Sequence, residues 1–284
     1  VQVLKRSPQT LFALAQDRAI RRDLGDTATW HIGTAGPKIV LIHGFRGDHH
    51  GLMGLAGALP EAQFVIPDLP GFGKTPPLAS KHDLAGYARW LIEFLSELGP
   101  YDALLGHSFG SLVVSKAVDD GLQAPRLILQ NPITTRAIEV DTLPNRIANY
   151  YYRIGSKAGS NLLRSQAAVR LMSIGLTKTL SPSLRRFIHR QHSNYFSSFA
   201  NNQMLLEAYQ AARESSVLDY CSSFPERLLL IAGDKDLVAP IAGQRMLAEQ
   251  TEGELVELPR VGHLTHYERP AEVAVAIGKF LERD

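Results

Sequence analysis

The chain has 284 residues, of which 45% are hydrophobic and 20% charged; this suits a folded globular protein of one large domain or a domain with an insertion. Its formal net charge of +2 is too small to point to nucleic acid, and no stretch reaches the ~18 apolar residues of a membrane span. A single cysteine, Cys221, excludes an internal disulfide and a cysteine-based metal site.

Near the N-terminus Lys5 and Arg6 are followed by no long apolar run. No secretory signal is therefore expected, and a cytoplasmic location is the default. "TATWHI" (Thr27–Ile32) alternates and predicts a strand, whereas "KIVLIH" (Lys38–His43) is a continuous apolar run, as a strand buried on both faces requires. "GFRGDHHGLMG" (Gly44–Gly54) reads as a flexible entrance loop, with His49 and His50 either touching substrate or, as the favoured expectation, exposed at the surface. "AQFVIPD" (Ala62–Asp68) is the third strand. The helical spacing of Leu84, Tyr87, Leu91, Phe94, Leu95 and Leu98 predicts a helix over Asp83–Gly99, stopped by Gly99-Pro100. Another strand, "DALLGH", runs straight into a helix from Phe109. "RLILQN" (Arg126–Asn131), "RLLLIAG" (Arg227–Gly233) and "GELVELP" (Gly253–Pro259) are the remaining strands, with helices at Ala242–Gln250 and Ala271–Leu281. Such alternation predicts an α/β fold: a mostly parallel, doubly wound sheet covered on both faces.

One stretch breaks the rhythm. From Ile133 to Ser216 there is no strand-like run, and a structureless loop of that length is implausible in a compact domain. The expected division is a core formed by residues 1–132 and 217–284, with 133–216 as an inserted helical cap. The insertion carries eleven Lys/Arg against four Asp/Glu, leaving 19 basic and 24 acidic residues elsewhere: a basic piece on an acidic body.

Four short segments carry chemistry. In "GHSFG" Ser108 stands between two glycines where a buried strand meets a helix. A nucleophile on so sharp a turn has strained backbone angles and leaves no room for side chains two residues to either side. The turn also aims the Phe109 N–H, near a helix N-terminus, at the oxygen of a reacting carbonyl. "LIHGF" (Leu41–Phe45) follows a central strand, so the Phe45 N–H can reach the same oxygen while His43 closes the loop. "AGDKDLVAP" (Ala232–Pro240) presents Asp234 and Asp236 at the C-terminal end of a strand, where open α/β sheets keep their sites. "VGHLTHYERP" (Val261–Pro270) offers His263 as general base, with His266 as competitor. The chain order of serine, acid and histidine is itself informative. None of the ten histidines forms an H-E-x-x-H or similar ligand pattern, so no metal site is read.

With these segments in this order, and with "DLPGFGKT" (Asp68–Thr75) between them, the chain resembles the α/β-hydrolase family along its whole length. The resemblance implies that the second aspartate of "GDKD", Asp236, is the acid and that Asp234 only forms the turn. It implies His263 as the base, Glu268 as a structural glutamate and the helical insertion as a cap over the site. No cofactor is implied. Relatives that open epoxides or remove halide use aspartate at the elbow; Ser108 implies acyl transfer to water, or a related attack at a carbonyl, instead. The absence of "GGPG" argues against iminopeptidases. His107, where C–C bond hydrolases often have asparagine, argues against that subgroup.

The expected activity is that of a carboxylesterase-like serine hydrolase with Ser108, Asp236 and His263 as triad and the Phe45 and Phe109 N–H groups as oxyanion hole. His107, Tyr151 and Tyr195 are the candidate substrate contacts. Tyr150, Tyr152 and Phe196 belong to the same aromatic cluster, which either faces the pocket or packs the cap. Arg146, Arg153, Arg164, Arg170, Arg185, Arg186 and Arg190 could pair with an anionic substrate or form a solvated face. Alternatives are a C–C bond hydrolase acting on an anionic diketone-type substrate, a non-enzymatic ligand receptor of the same fold, and action at an anionic lipid surface.

Overall fold

The computed structural model describes residues 2–139, 143–158 and 160–282. The ends of the expected core (1, 283 and 284) and four positions of the expected insertion (140–142 and 159) lie outside the described residues. Among the described residues, eight strands form one sheet: β1 (Ile20–Leu24), β2 (Thr27–Ile32), β3 (Lys38–Ile42), β4 (Gln63–Pro67), β5 (Ala103–His107), β6 (Leu127–Gln130), β7 (Leu228–Gly233) and β8 (Glu254–Leu258). Their spatial order is β1-β2-β4-β3-β5-β6-β7-β8. β2 pairs antiparallel with β1 and β4, and every later pairing is parallel.

The apolar runs follow from burial on both faces. Along β3, Val40 and Ile42 enter one hydrophobic core while Ile39 and Leu41 enter the other. β7 repeats this with Leu228 and Leu230 against Leu229 and Ile231. A strand with no wet face has no polar alternation to show. The first core lies under α3 (Leu84–Leu98) and α4 (Phe109–Asp119). The second lies under α1 (Pro8–Arg18), α2 (Met53–Ala58) and the C-terminal helix (Pro270–Leu281). Ser7 caps α1, accepting from the Thr10 N–H, and Pro8 opens its first turn.

The expected entrance loop Gly44–Gly54 is instead largely ordered packing, with a 3₁₀ turn at His49–Leu52 leading into α2. His49 is buried, not exposed: its ring stacks on Trp30 at 3.3 Å and its Nδ1 lies 2.8 Å from Asp68 Oδ1. His50 is half-buried and stacks on Tyr195. An imidazole is a flat, largely apolar ring, and a carboxylate partner at one nitrogen helps it to be buried.

Between β6 and β7 the chain is helical: α5 (Leu143–Ala158), α6 (Ser160–Leu163), α7 (Gln166–Leu176), α8 (Pro182–Tyr195) and α9 (Asn202–Glu214). These helices are sewn to the sheet's C-terminal edge by backbone bonds, Gly73 N–H to Ser198 and Ala200 N–H to the Gly71 carbonyl. Buried Glu268 adds another, accepting from the Lys178 N–H at 2.7 Å. Two helices, α10 (Ile241–Thr251) and α11 (Thr265–Glu268), precede the C-terminal helix, α12 (Pro270–Leu281).

Candidate active site

After β3 the chain turns to β4 on one side of it and then to β5 on the other. The crevice at such a reversal lies outside the carboxyl ends of β3 and β5. Both turns leaving those ends carry candidate residues. Ser108 caps α4 with φ 53° and ψ −118°, a left-handed backbone that a side chain adopts only under constraint. The constraint is visible in its glycines. A Cβ on Gly106 would come within 2.6 Å of the Gly110 carbonyl oxygen, and one on Gly110 within 2.3 Å of that of Ile42. Gly44 is tight as well, though less so: its Cβ would lie 3.1 Å from Ser108 Cβ. The loop after β3 therefore rests directly on the elbow after β5.

The structure brings Ser108, His263 and Asp236 into one hydrogen-bonded line. Ser108 Oγ lies 2.7 Å from His263 Nε2, and His263 Nδ1 lies 2.7 Å from Asp236 Oδ2. Burial pushes the Asp236 carboxyl up, but the neighbouring His263 and the backbone N–H groups of Ala239 and Val238 outweigh it, so the pKa falls below the ordinary carboxylate value. An ionised carboxylate only accepts, so Nδ1 of His263 carries the proton and Nε2 is free to accept from Ser108. Asp234 stands apart, accepting from the Arg260 N–H in a surface turn. His266 is buried against His107, with ring centroids 4.1 Å apart, and makes no bond to Ser108. His43 closes its loop: Nε2 accepts from the Leu69 N–H, and Nδ1 donates to the Gly44 carbonyl.

Among the described residues, neither the Phe45 nor the Phe109 N–H has an acceptor. At Phe109 this is the ordinary state of a helix's first turn. The two rings meet edge to face at 6.2 Å.

A cavity of about 210 Å³ opens on Ser108 and His263. Its walls are mostly apolar, including Leu52, Met172, Leu176, Phe196, Val238 and Leu264. Of the three candidate substrate contacts, His107 and Tyr195 line it and Tyr151 does not. The Tyr151 hydroxyl donates to the Leu162 and Leu163 carbonyls, and its neighbour Tyr152 takes the lining position. None of the seven arginines named for an anionic substrate lines the cavity. Arg164, for example, spends its guanidinium on the Ser197 and Phe199 carbonyls. His107 is held neutral: burial, and then the charge of His263, push its pKa down to about 3.

Two residues carry parts of the site that no motif announced. Asn131, at the end of β6 with φ 47°, donates from Nδ2 to Asp236 Oδ2 at 2.8 Å. Its own Oδ1 accepts from Thr265, whose hydroxyl accepts in turn from Gln130. Arg46, immediately after Phe45, is 2% exposed and also has positive φ. It donates to the Phe196 and Leu163 carbonyls at 3.0 and 2.7 Å, tying the oxyanion-side loop to the helices above it. Both partners lie more than a hundred positions away in sequence, which is why no local pattern marked it. As to metals, Asp48, His49 and His50 gather donor atoms within 4.8 Å, but both imidazole Nδ1 atoms are already engaged by carboxylates.

Residues 39–276 match a family model described as the alpha/beta hydrolase family. A curated relative, the dihydrolipoyllysine-residue acetyltransferase component of the acetoin cleaving system from Pseudomonas putida, is 25% identical over 256 residues. The match takes in 88% of this chain and 65% of that protein, so the chain spans less than two thirds of its relative's length. An esterase from Exiguobacterium antarcticum superposes with a TM-score of 0.74 at 17% identity, over 90% of this chain and 96% of that one. A bromoperoxidase from Bacillus anthracis does so with a TM-score of 0.73 at 16% identity, over 93% and 100%. At such identities the likeness is one of fold.

Proposed function

The chain belongs to the alpha/beta hydrolase family, and from that premise we propose that it is a serine hydrolase cleaving carboxylic esters through an acyl-enzyme on Ser108. The observation that carries the reading is the unbroken line from Ser108 Oγ through His263 to a buried, ionised Asp236, at 2.7 Å for each step. Ser108 attacks the ester carbonyl while His263 Nε2 takes its proton, and Asp236 stabilises the imidazolium and holds its orientation. The Phe45 and Phe109 N–H groups receive the oxyanion. His263 then protonates the leaving alkoxide, and in the second half-reaction it activates water to release the acid. Residues 133–216 act as the cap, with α5 and α7 contributing Tyr152, Met172 and Leu176 to the cavity. His107 and Tyr195 are the substrate contacts we assign. An uncharged acyl group of modest length suits these walls, because Arg46, the arginine lining the cavity among the described residues, is already engaged by the Phe196 and Leu163 carbonyls.

The test is turnover of p-nitrophenyl esters from acetate to decanoate by the wild type and by Ser108→Ala. A chain-length optimum in the wild type and a loss on the order of 10⁶ in the variant support the reading. Wild-type turnover in Ser108→Ala would reject it. Absence of turnover on every ester would favour C–C bond cleavage or a receptor of the same fold.

A further inference from the structure

Residues 142–206 contain seven arginines and two lysines and not one aspartate or glutamate. The rest of the chain holds 21 basic and 28 acidic residues. This uninterrupted positive stretch forms α5 to α8, the helices over the cavity.

Two of those helices are apolar on more than their inner side. On α7, Met172 and Leu176 line the cavity and Val169 and Ser173 are buried. About 180° around the same helix, Arg170, Leu171 and Ile174 share an exposed face. Leu171 is 71% exposed and, in the link to α8, Leu180 is 89% exposed. α5 repeats the pattern. Tyr152 lines the cavity, while Arg146, Ile147, Tyr150, Arg153 and Ile154 fall on one outward face, with Tyr150 69% exposed. On α8, Arg186 and Arg190 are exposed one turn apart. Beside the cavity, Val238 is a lining residue and its neighbour Leu237 is 78% exposed.

Single exposed apolar side chains are ordinary. Here they alternate with arginines on α5 and α7, on the faces turned away from one cavity. That composition matches a surface lying at a lipid–water boundary, where apolar side chains enter the acyl region and cations meet the headgroups. We infer that the outer faces of α5, α7 and α8, with the α7–α8 link, dock on an anionic lipid bilayer. Two copies of this face would set arginine against arginine with no acid between 142 and 206 to relieve it. A nucleic acid would satisfy the guanidinium groups and leave Leu171 and Leu180 in water. The inference does not depend on the ester-hydrolase reading, since it concerns a surface outside the triad and is read by binding.

The experiment is co-sedimentation of the full chain with vesicles of phosphatidylcholine alone or with three-tenths phosphatidylglycerol, in low and high salt. Binding to the anionic vesicles should be at least about tenfold tighter than to neutral ones and should weaken with salt, each engaged arginine being worth about fivefold. Replacing Arg170, Arg186 and Arg190 by glutamate should abolish the anionic preference. Leu171→Ser with Leu180→Ser should weaken anionic binding about tenfold and keep its salt dependence. Both variants should retain the wild-type melting temperature; if the triple variant does not, Leu180→Ser alone, at a position with little packing to lose, carries the test. Equal binding to both vesicle types, or none, would overturn the inference. So would a dimer in light scattering that the same substitutions dissolve, which would assign the face to a second copy.

Discussion

Asp236 accepts four hydrogen bonds, from His263, Asn131, Val238 and Ala239. Such an acid can neither turn nor protonate easily, and it fixes which nitrogen of His263 faces Ser108. Asp236→Asn should therefore lower kcat by roughly 10³ to 10⁴ while leaving KM for a short ester within a few-fold, because an amide admits the wrong tautomer. Asn131→Ala should cost about tenfold in kcat, the effect of one lost hydrogen bond to a charged group. Steady-state kinetics on a water-soluble ester checks both; unchanged rates in Asn131→Ala would mean that the acid needs no such brace. Ser108 and His263 stood out in the sequence because each sits in a short turn after a strand; Asp234 and Asp236 share such a turn, and the family resemblance chose between them. Asn131 could not, since its partner is 105 positions away.

At the scale of elements, the loop after β3 and the cap helices form one unit through Arg46. Replacing it by methionine would leave the part-buried Phe196 carbonyl without its guanidinium donor and the Leu163 carbonyl with the Tyr151 hydroxyl alone, at about 1–3 kcal/mol for a buried group left unpaired. We expect Arg46→Met to lower both the melting temperature and kcat, as the Phe45 N–H loses its support. Arg46→Lys should not rescue it, because a single ammonium lacks the guanidinium's fork; a lysine variant with full activity and stability would contradict this. Parallel strands were legible from their unbroken apolar runs, and α3 from its spacing. α1 carried the Ser7-Pro8 signal of a helix start, yet "PQTLFALAQDR" has too little apolar contrast to announce a face. β1, "IRRDL", is an edge strand exposed over most of its length, with no alternation to read. The phase of α5, which turns Tyr152 rather than Tyr151 inward, depended on packing beyond the helix itself.

For the whole molecule, the buried histidines set a pH limit. Burial first, then the charge of neighbouring His263 on His107 and of His189 on His192, lower both pKa values from the ordinary 6.5 to about 3. Between these values the unfolded chain binds the protons and the folded chain does not, so stability rises with pH there and is lost on acidification. Each histidine contributes up to about 1.4 kcal/mol per pH unit in that window. The melting temperature should fall steadily from pH 6.5 towards pH 4, and less steeply in His192→Gln; parallel profiles for the two proteins would refute the assignment. No motif reported this density of neutral imidazoles, because burial is a property of the assembled fold. The division into an acidic body and a basic insertion, by contrast, could be counted directly from the sequence.

The measurement closest to the central claim is intact-protein mass spectrometry after reaction with an organophosphonate ester, followed by peptide mapping. The account predicts one adduct per chain, located on Ser108, absent in Ser108→Ala and formed far more slowly in His263→Ala. An adduct on another residue, or ester turnover that persists in Ser108→Ala, would contradict it.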